Sequence, residues 1–216
     1  MLAALWLVVA LAADASAPHP HQGVLAAYTG APPEVSLSAA DLGVLTAGDP
    51  VHKQVQDTSG DGASGRGVAI QDVHADPATV WARIVDFGAY PKMVDNVKAC
   101  DVVARDGESI DVHFVIGAPL VSIEYWVRHR YKPDEGWMTW TLDYRKHSDF
   151  DDSVGFWRVA PHPDKDGWSR VFYSADVKAA GWVPGPIENA FATVGLKRAT
   201  AWVKRESEKA AGTSGG

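Results

Sequence analysis

From residue 97 to residue 178 apolar and polar side chains alternate with period two, broken only by turn residues, and after Pro186 the pattern changes to a helical period of about 3.6. Val97–Ala104 is the first strand of the run, and Arg105-Asp106-Gly107-Glu108 turns it. Ile110, Val112, Phe114 and Ile116 then alternate with Asp111, His113 and Val115. Val121, Ile123, Tyr125, Val127 and Tyr131 alternate with Ser122, Glu124, Trp126, Arg128 and Arg130. Met138, Trp140, Leu142 and Tyr144 form the next apolar row, followed by strands Val154–Ala160 and Arg170–Lys178. Consecutive strands at hairpin spacing, each with one apolar face, make an antiparallel sheet.

Upstream, Val51–Gln56 and Val68–His74 read as two further strands around the Gly-rich turn Thr58–Gly67. That turn lacks the Lys-Ser/Thr ending of a phosphate loop. Asp76-Pro77 places an N-cap before a proline suited to the first helical position. Val80, Trp81, Ile84 and Val85 follow on one face, and the helix is expected to end near Phe87-Gly88. A shorter helix is predicted over Ser38–Leu45. In the last segment Ile187, Ala190, Phe191, Val194, Ala201 and Trp202 share a stripe, with Lys197, Arg198, Lys204 and Arg205 outside it.

This order predicts an α+β chain: a curved antiparallel sheet whose concave face is covered by a long C-terminal helix. A curved sheet does not collapse fully onto one helix, so an internal hydrophobic cavity is expected between them. Composition bears on what it would hold. Nine Trp in 216 residues is a high density of amphipathic aromatics. The net charge of −7 argues against a nucleic-acid partner. One cysteine, Cys100, excludes an internal disulfide framework and a Cys-based zinc site.

Residues 1–13 are uncharged and too few to span a bilayer, and Ala15-Ser16-Ala17 is a small-x-small cleavage pattern. Residues 1–17 are therefore expected to be a cleaved signal peptide, making the protein exported, periplasmic or secreted. The n-region has no Lys or Arg, which leaves an uncleaved anchor or a wrongly assigned start as alternatives. Residues 18–36 are expected as a flexible lead-in, 37–210 as the folded domain and 211–216 as a disordered tail. His19-Pro20-His21 and the acidic loop with Asp149, Asp151 and Asp152 are read as solvated, so no metal or cofactor is expected.

The stretch Asp76–Val94 resembles the opening signature of the START-like (SRPBCC) superfamily, in the branch of coenzyme Q-binding and polyketide cyclase/dehydrase-like proteins. Pro77, Val80, Trp81, Asp86, Phe87, Tyr90 and Pro91 carry the likeness. Gly155-Phe156-Trp157-Arg158 with Trp168–Tyr173 resembles the late strand pair, and Val183-Pro184-Gly185-Pro186-Ile187 the lead into the closing helix. The resemblance implies the helix-grip fold and a hydrophobic cavity.

The expected cavity wall is Phe114, Tyr125, Trp140, Leu142, Tyr144, Phe191 and Val194, joined by Trp157 and Tyr173 if the register there is right. A slip of one residue would put Phe156 inward in place of Trp157. The leading reading is a non-enzymatic carrier of a lipid, quinone or polyketide-like molecule. It is expected as a monomer, with peripheral membrane contact through the basic side of the last helix as a further expectation. Access is expected past the Phe87–Val94 loop and the start of that helix. The alternative is a polyketide cyclase, aromatase or dehydratase, and a third reading is a protein-interaction module. A carrier predicts one or two polar groups inside. An enzyme predicts that His129, Arg158 or Asp176 converge there, with His113 and Tyr125 as further candidates.

Overall fold

The alternating segments pair as read. A computed structural model describes residues 17–56, 65–118, 121–179 and 185–213. Strands β1 (Val51–Gln56), β2 (Gly65–Val73), β3 (Val97–Asp106), β4 (Ser109–Ala118), β5 (Val121–Lys132), β6 (Trp137–Leu142), β7 (Phe150–Pro161) and β8 (Ser169–Ala179) form one curved sheet. All neighbours are antiparallel, in the order β1-β2-β8-β7-β6-β5-β4-β3. The helices are α1 (Ala39–Thr46), α2 (Pro77–Ile84), α3 (Tyr90–Met93) and α4 (Gly185–Ala211), with a 3-10 turn over Phe87–Ala89. This is the helix-grip architecture. Among the described residues no helix is long and apolar enough to cross a membrane.

Local chemistry explains the helix starts. Asp76 caps α2 by accepting the Thr79 amide at 2.9 Å, and Pro77 follows it. Ser38 caps α1 in a reciprocal capping box with Asp41. α2 buries Val80, Trp81 and Ile84 in the inner core. There they meet Trp202 and Val203 of α4, Met138 of β6 and Trp157 of β7. The Phe87–Val94 loop, expected as part of the access route, is tied to its surroundings. The Tyr90 hydroxyl donates to the Ile84 carbonyl at 2.6 Å, and Arg205 donates to the Met93 carbonyl at 2.5 Å.

The outer face has its own cover. Val68, Ile70 and Phe156 pack there with Val51 and with Leu45 of α1, beside Tyr28, Val35 and Leu37. Residues 18–36, expected as a flexible lead-in, are thus laid along the sheet. The His19 amide donates to the Tyr144 carbonyl and the His147 amide to the Ala17 carbonyl. The expected solvated acidic loop also differs. Asp149 accepts the Glu124 amide at 2.7 Å, and β7 starts at Phe150, so Asp151 and Asp152 belong to the sheet.

Asp152 is 0 % exposed. Its Oδ2 accepts the amides of Val24 and Leu25 at 2.7 and 2.8 Å; its Oδ1 accepts the Tyr144 hydroxyl and the Ser153 amide, each at 2.8 Å. The approach needs Gly23. Its φ is +107°, and a Cβ there would lie 2.6 Å from the Tyr144 hydroxyl oxygen.

A second buried polar cluster ties β2 to β8. Arg170 donates to both oxygens of Asp72, at 2.7 and 2.9 Å, and His162 lies 3.0 Å from the same carboxylate. Burial opposes ionisation of Asp72, and the Arg170 guanidinium outweighs it, so the carboxyl is held below its usual range.

Asp152→Ala should remove the acceptor from four donors at once. The expected cost is about 3 kcal/mol, read by urea unfolding, with faster proteolytic cleavage within residues 17–25. Wild-type stability with unchanged cleavage would show that Asp152 does not hold the segment.

Candidate functional site

The ladder register assigns every strand residue to a face. Phe114 pairs with Tyr125, Val127 with Leu142, His129 with Trp140, Met138 with Trp157, and Trp157 with Tyr173. Cross-strand partners share a face, and most of these sit in the inner core. Phe114, Tyr125, Trp140, Leu142, Trp157 and Tyr173 therefore all point inward, as expected. Phe114 and Tyr125 stack at 5.1 Å with rings 4° from parallel, and Trp157 and Tyr173 meet at 4.3 Å. The register of β7 is also settled: Trp157 is in the inner core and Phe156 in the outer cluster.

One inner position carries no side chain. Gly155 pairs with Trp140, and a Cβ at Gly155 would come within 2.1 Å of the Trp140 indole and 2.4 Å of the Ser174 carbonyl oxygen. The indole lies across β7 because residue 155 is glycine. Its Nε1 points to Ser153 Oγ at 3.4 Å. The sequence reading used Gly155 only as part of a family-like strand. An isolated glycine within an alternating strand is the signal that marks such a close approach.

Polar groups on this face are few and neutral. His129 interrupts the apolar row of β5 and points inward, 5 % exposed, with its ring 5.1 Å from Phe87 and its Nδ1 3.2 Å from the Ile110 carbonyl oxygen. Burial pushes its pKa down to about 4. Burial raises the hydroxyl of Tyr173 to about 12 and that of Tyr125 well above its usual value. Burial likewise raises the Cys100 thiol. Tyr125 and Tyr173 keep some accessible surface although both pack on the inner core, and their hydroxyls have no hydrogen-bond partner among the described residues.

Other expected groups fall elsewhere. β6 ends at Leu142, so the alternation does not extend to Tyr144. Tyr144 turns to Asp152 and the N-terminal segment, outside the inner wall. Arg158 pairs with Phe172 across the outer face and reaches Glu34 at 3.1 Å. Asp176 pairs with Val154, which alternates with the inward Gly155, so it too is on the outer face. His113 is outward as read, 2.7 Å from Glu124 and stacked on Trp126. The residues proposed for an enzyme thus do not converge. Phe191 and Val194 belong to the part of α4 whose side chains lie outside the described residues. On the basic side of α4, Lys204 is paired with Glu208, and Arg205 with Glu206 and Met93.

An open groove of about 500 Å³ is lined by Asp106, Glu108, Ser109, Arg128, His129 and Arg130, so His129 borders both it and the inner face. Its mainly charged rim contrasts with the aromatic wall.

The fold and inner wall define a helix-grip protein with an aromatic concave face. The sequence model described as "Polyketide cyclase / dehydrase and lipid transport" matches residues 73–201, more than half of the chain, and the chain belongs to that family. Solved structures of the same fold include a START superfamily protein from Mycobacterium smegmatis, 20 % identical with a TM-score of 0.57, covering 66 % of this chain and 97 % of that one. The ZhuI aromatase/cyclase from Streptomyces sp. R1128 is 14 % identical with a TM-score of 0.56, over 69 % of this chain and 96 % of its own. A STAR-related lipid transfer protein from Xanthomonas axonopodis is 13 % identical with a TM-score of 0.55, over 72 % and 98 %. No curated protein sequence matches the chain.

Two outcomes follow from the geometry. Gly155→Ala should displace the Trp140 indole, cost about 1–3 kcal/mol or more, and shift the tryptophan emission. An unchanged spectrum and melting temperature would contradict the close approach. His129 has a folded pKa of about 4, below the unfolded value of about 6.5. Its stabilising contribution is therefore complete above about pH 6.5 and declines as pH falls toward 4, by up to about 3 kcal/mol. Denaturant midpoints measured across that window should fall more steeply for wild type than for His129→Phe.

Proposed function

We propose that the protein is a non-catalytic carrier that holds a hydrophobic small molecule, of lipid, quinone or polyketide-like chemistry, between the inner sheet face and α4. The observation that carries this reading is the character of the wall. Phe114, Trp140 and Trp157 offer apolar surface, and the hydroxyls of Tyr125 and Tyr173 offer polar contact without a partner among the described residues. An apolar pocket with a few orienting polar groups is the usual form of a small-molecule site. Burying ligand surface there contributes about 25 cal/mol per Å² before association costs.

The electrostatics favour binding over acid-base chemistry. General acids and bases work best with a pKa near the working pH. Here His129 is shifted to about 4 and Tyr173 to about 12. Arg158 and Asp176 lie on the opposite face. Export is part of the proposal, supported by the uncharged run 1–13 and the Ala15-Ser16-Ala17 pattern.

Native mass spectrometry of the protein purified from its host, with solvent extraction, tests both parts. The expected result is a co-purified apolar molecule and a chain mass lacking residues 1–17. In vitro, a fluorescent fatty acid or short-chain ubiquinone should bind. The double change Tyr125→Phe with Tyr173→Phe should weaken ligands with a polar head about five- to tenfold, one hydrogen bond's worth. Ala175→Phe, set on the inner face beside Gly155, should block binding without unfolding the chain. Failure to recover any apolar molecule, with no uptake of either probe, would sink the carrier reading.

A further inference from the structure

We propose that His19, His21 and Asp151 form a site for one divalent late transition-metal ion, zinc or copper, that clasps the N-terminal segment to the start of β7. The site is separate from the inner wall and lies where residues 19–21 meet the start of β7, beside the β6–β7 connection. His19 and His21 lie after Ala17, so the expected cleavage would keep all three ligands while removing the Ala17 carbonyl that accepts the His147 amide.

The fold brings the three residues together from about 130 positions apart in sequence. The backbone bonds at Ala17 and His19 and the Asp152 grip on Val24 and Leu25 deliver the His-Pro-His run to Asp151. The two imidazoles meet edge to face with centroids 4.7 Å apart. One ligand atom from each residue can be chosen so that all lie within 4.8 Å of one another. Tetrahedral zinc with bonds near 2.0–2.1 Å separates its ligand atoms by about 3.3 Å. The ligand atoms so chosen lie within about 1.5 Å of that spacing.

His19 is the second, independent pointer. It is 6 % exposed, and its Nε2 lies 2.7 Å from the Asp151 carbonyl oxygen, to which it donates. That places the ring proton on Nε2 and leaves a lone pair on Nδ1. Nδ1 is buried with no partner. An imidazole with one N–H fixed by a carbonyl and the other nitrogen unpaired is oriented as metal-binding histidines are. An unmet buried acceptor is otherwise costly. His147 stands next to it, ring centroid 6.1 Å away, and its Nδ1 is also buried without a partner. It borders the site without belonging to the set whose ligand atoms fall within 4.8 Å of one another.

The Asp151 carboxylate lies 3.0 Å from His21 Nε2 and 3.0 Å from Lys178 Nζ. A metal takes the place of the proton between His21 and Asp151. Loading has a cost, because a neutral His21 bound through Nε2 must carry its one ring proton on Nδ1, which now accepts the Gly23 amide at 3.1 Å. Two imidazoles with one carboxylate suit zinc and copper, and calcium and magnesium prefer all-oxygen sets.

The test uses the purified full-length chain stripped with EDTA and titrated calorimetrically with zinc chloride or copper chloride alone. One equivalent should bind, and the melting temperature should rise with metal because the unfolded chain lacks the assembled site. His19→Gln and His21→Gln should each weaken binding at least about tenfold. His52→Gln, on β1, should leave it unchanged. Lys178→Met removes a competing cation and should tighten binding. Should either histidine change lower the melting temperature in EDTA, the Lys178→Met result decides, because unchanged affinity there counts against the site. No saturable binding of either metal, or equal binding by wild type and His19→Gln, overturns the proposal.

Discussion

An eight-stranded sheet has two faces, and this chain supplies one long helix to cover them. Everything else follows from how that shortage is met. The inner face curls around α4, with α2 and the Phe87–Met93 turns closing the remaining edge around Trp81, Phe87 and Tyr90. Among the described residues the outer face has no helix of comparable length, and it is covered by α1 and by an extended segment that cannot bond to itself. An extended segment keeps its amides only if the surface beneath accepts them. Asp152 does so for Val24 and Leu25, which is why a carboxyl group lies fully buried at the start of β7.

The same burial sets the chemistry of the inner wall. Taking His129, Tyr125 and Tyr173 out of water disfavours their charged forms, so each stays neutral across the physiological range. The wall then offers hydrogen bonds without offering charge. Gly155 gives this surface its shape, because the space a side chain would occupy is filled by the Trp140 indole. A flat aromatic floor results where four strands, β5 to β8, meet.

Much of this was legible in advance because period two is a local property. The inward placement of Phe114, Tyr125, Trp140 and Leu142 needed only counting along each strand. His129 was marked by interrupting an apolar row, and the α2 cap by Asp76-Pro77. Counting failed where the strand itself stopped. Tyr144 continues the row in sequence, but the chain leaves the sheet at Leu142, and the tyrosine serves the outer segment instead. Counting was also ambiguous at Phe156 and Trp157, two adjacent aromatics of similar size. Pairing with β6 resolved it, since Gly155 had to sit under Trp140. That pairing sends Arg158 outward, away from His129.

The sequence by itself determined the element order, the helix caps, the helix-grip class and most inner positions, because capping and alternation act between residues a few positions apart. Only the tertiary structure decided which face residues 17–37 would cover, that Asp152 would anchor them, and that His19 and His21 would meet Asp151. The reason is physical: these contacts join residues about 130 apart. They depend on which turns of the sheet face the returning segment, and no local period records that.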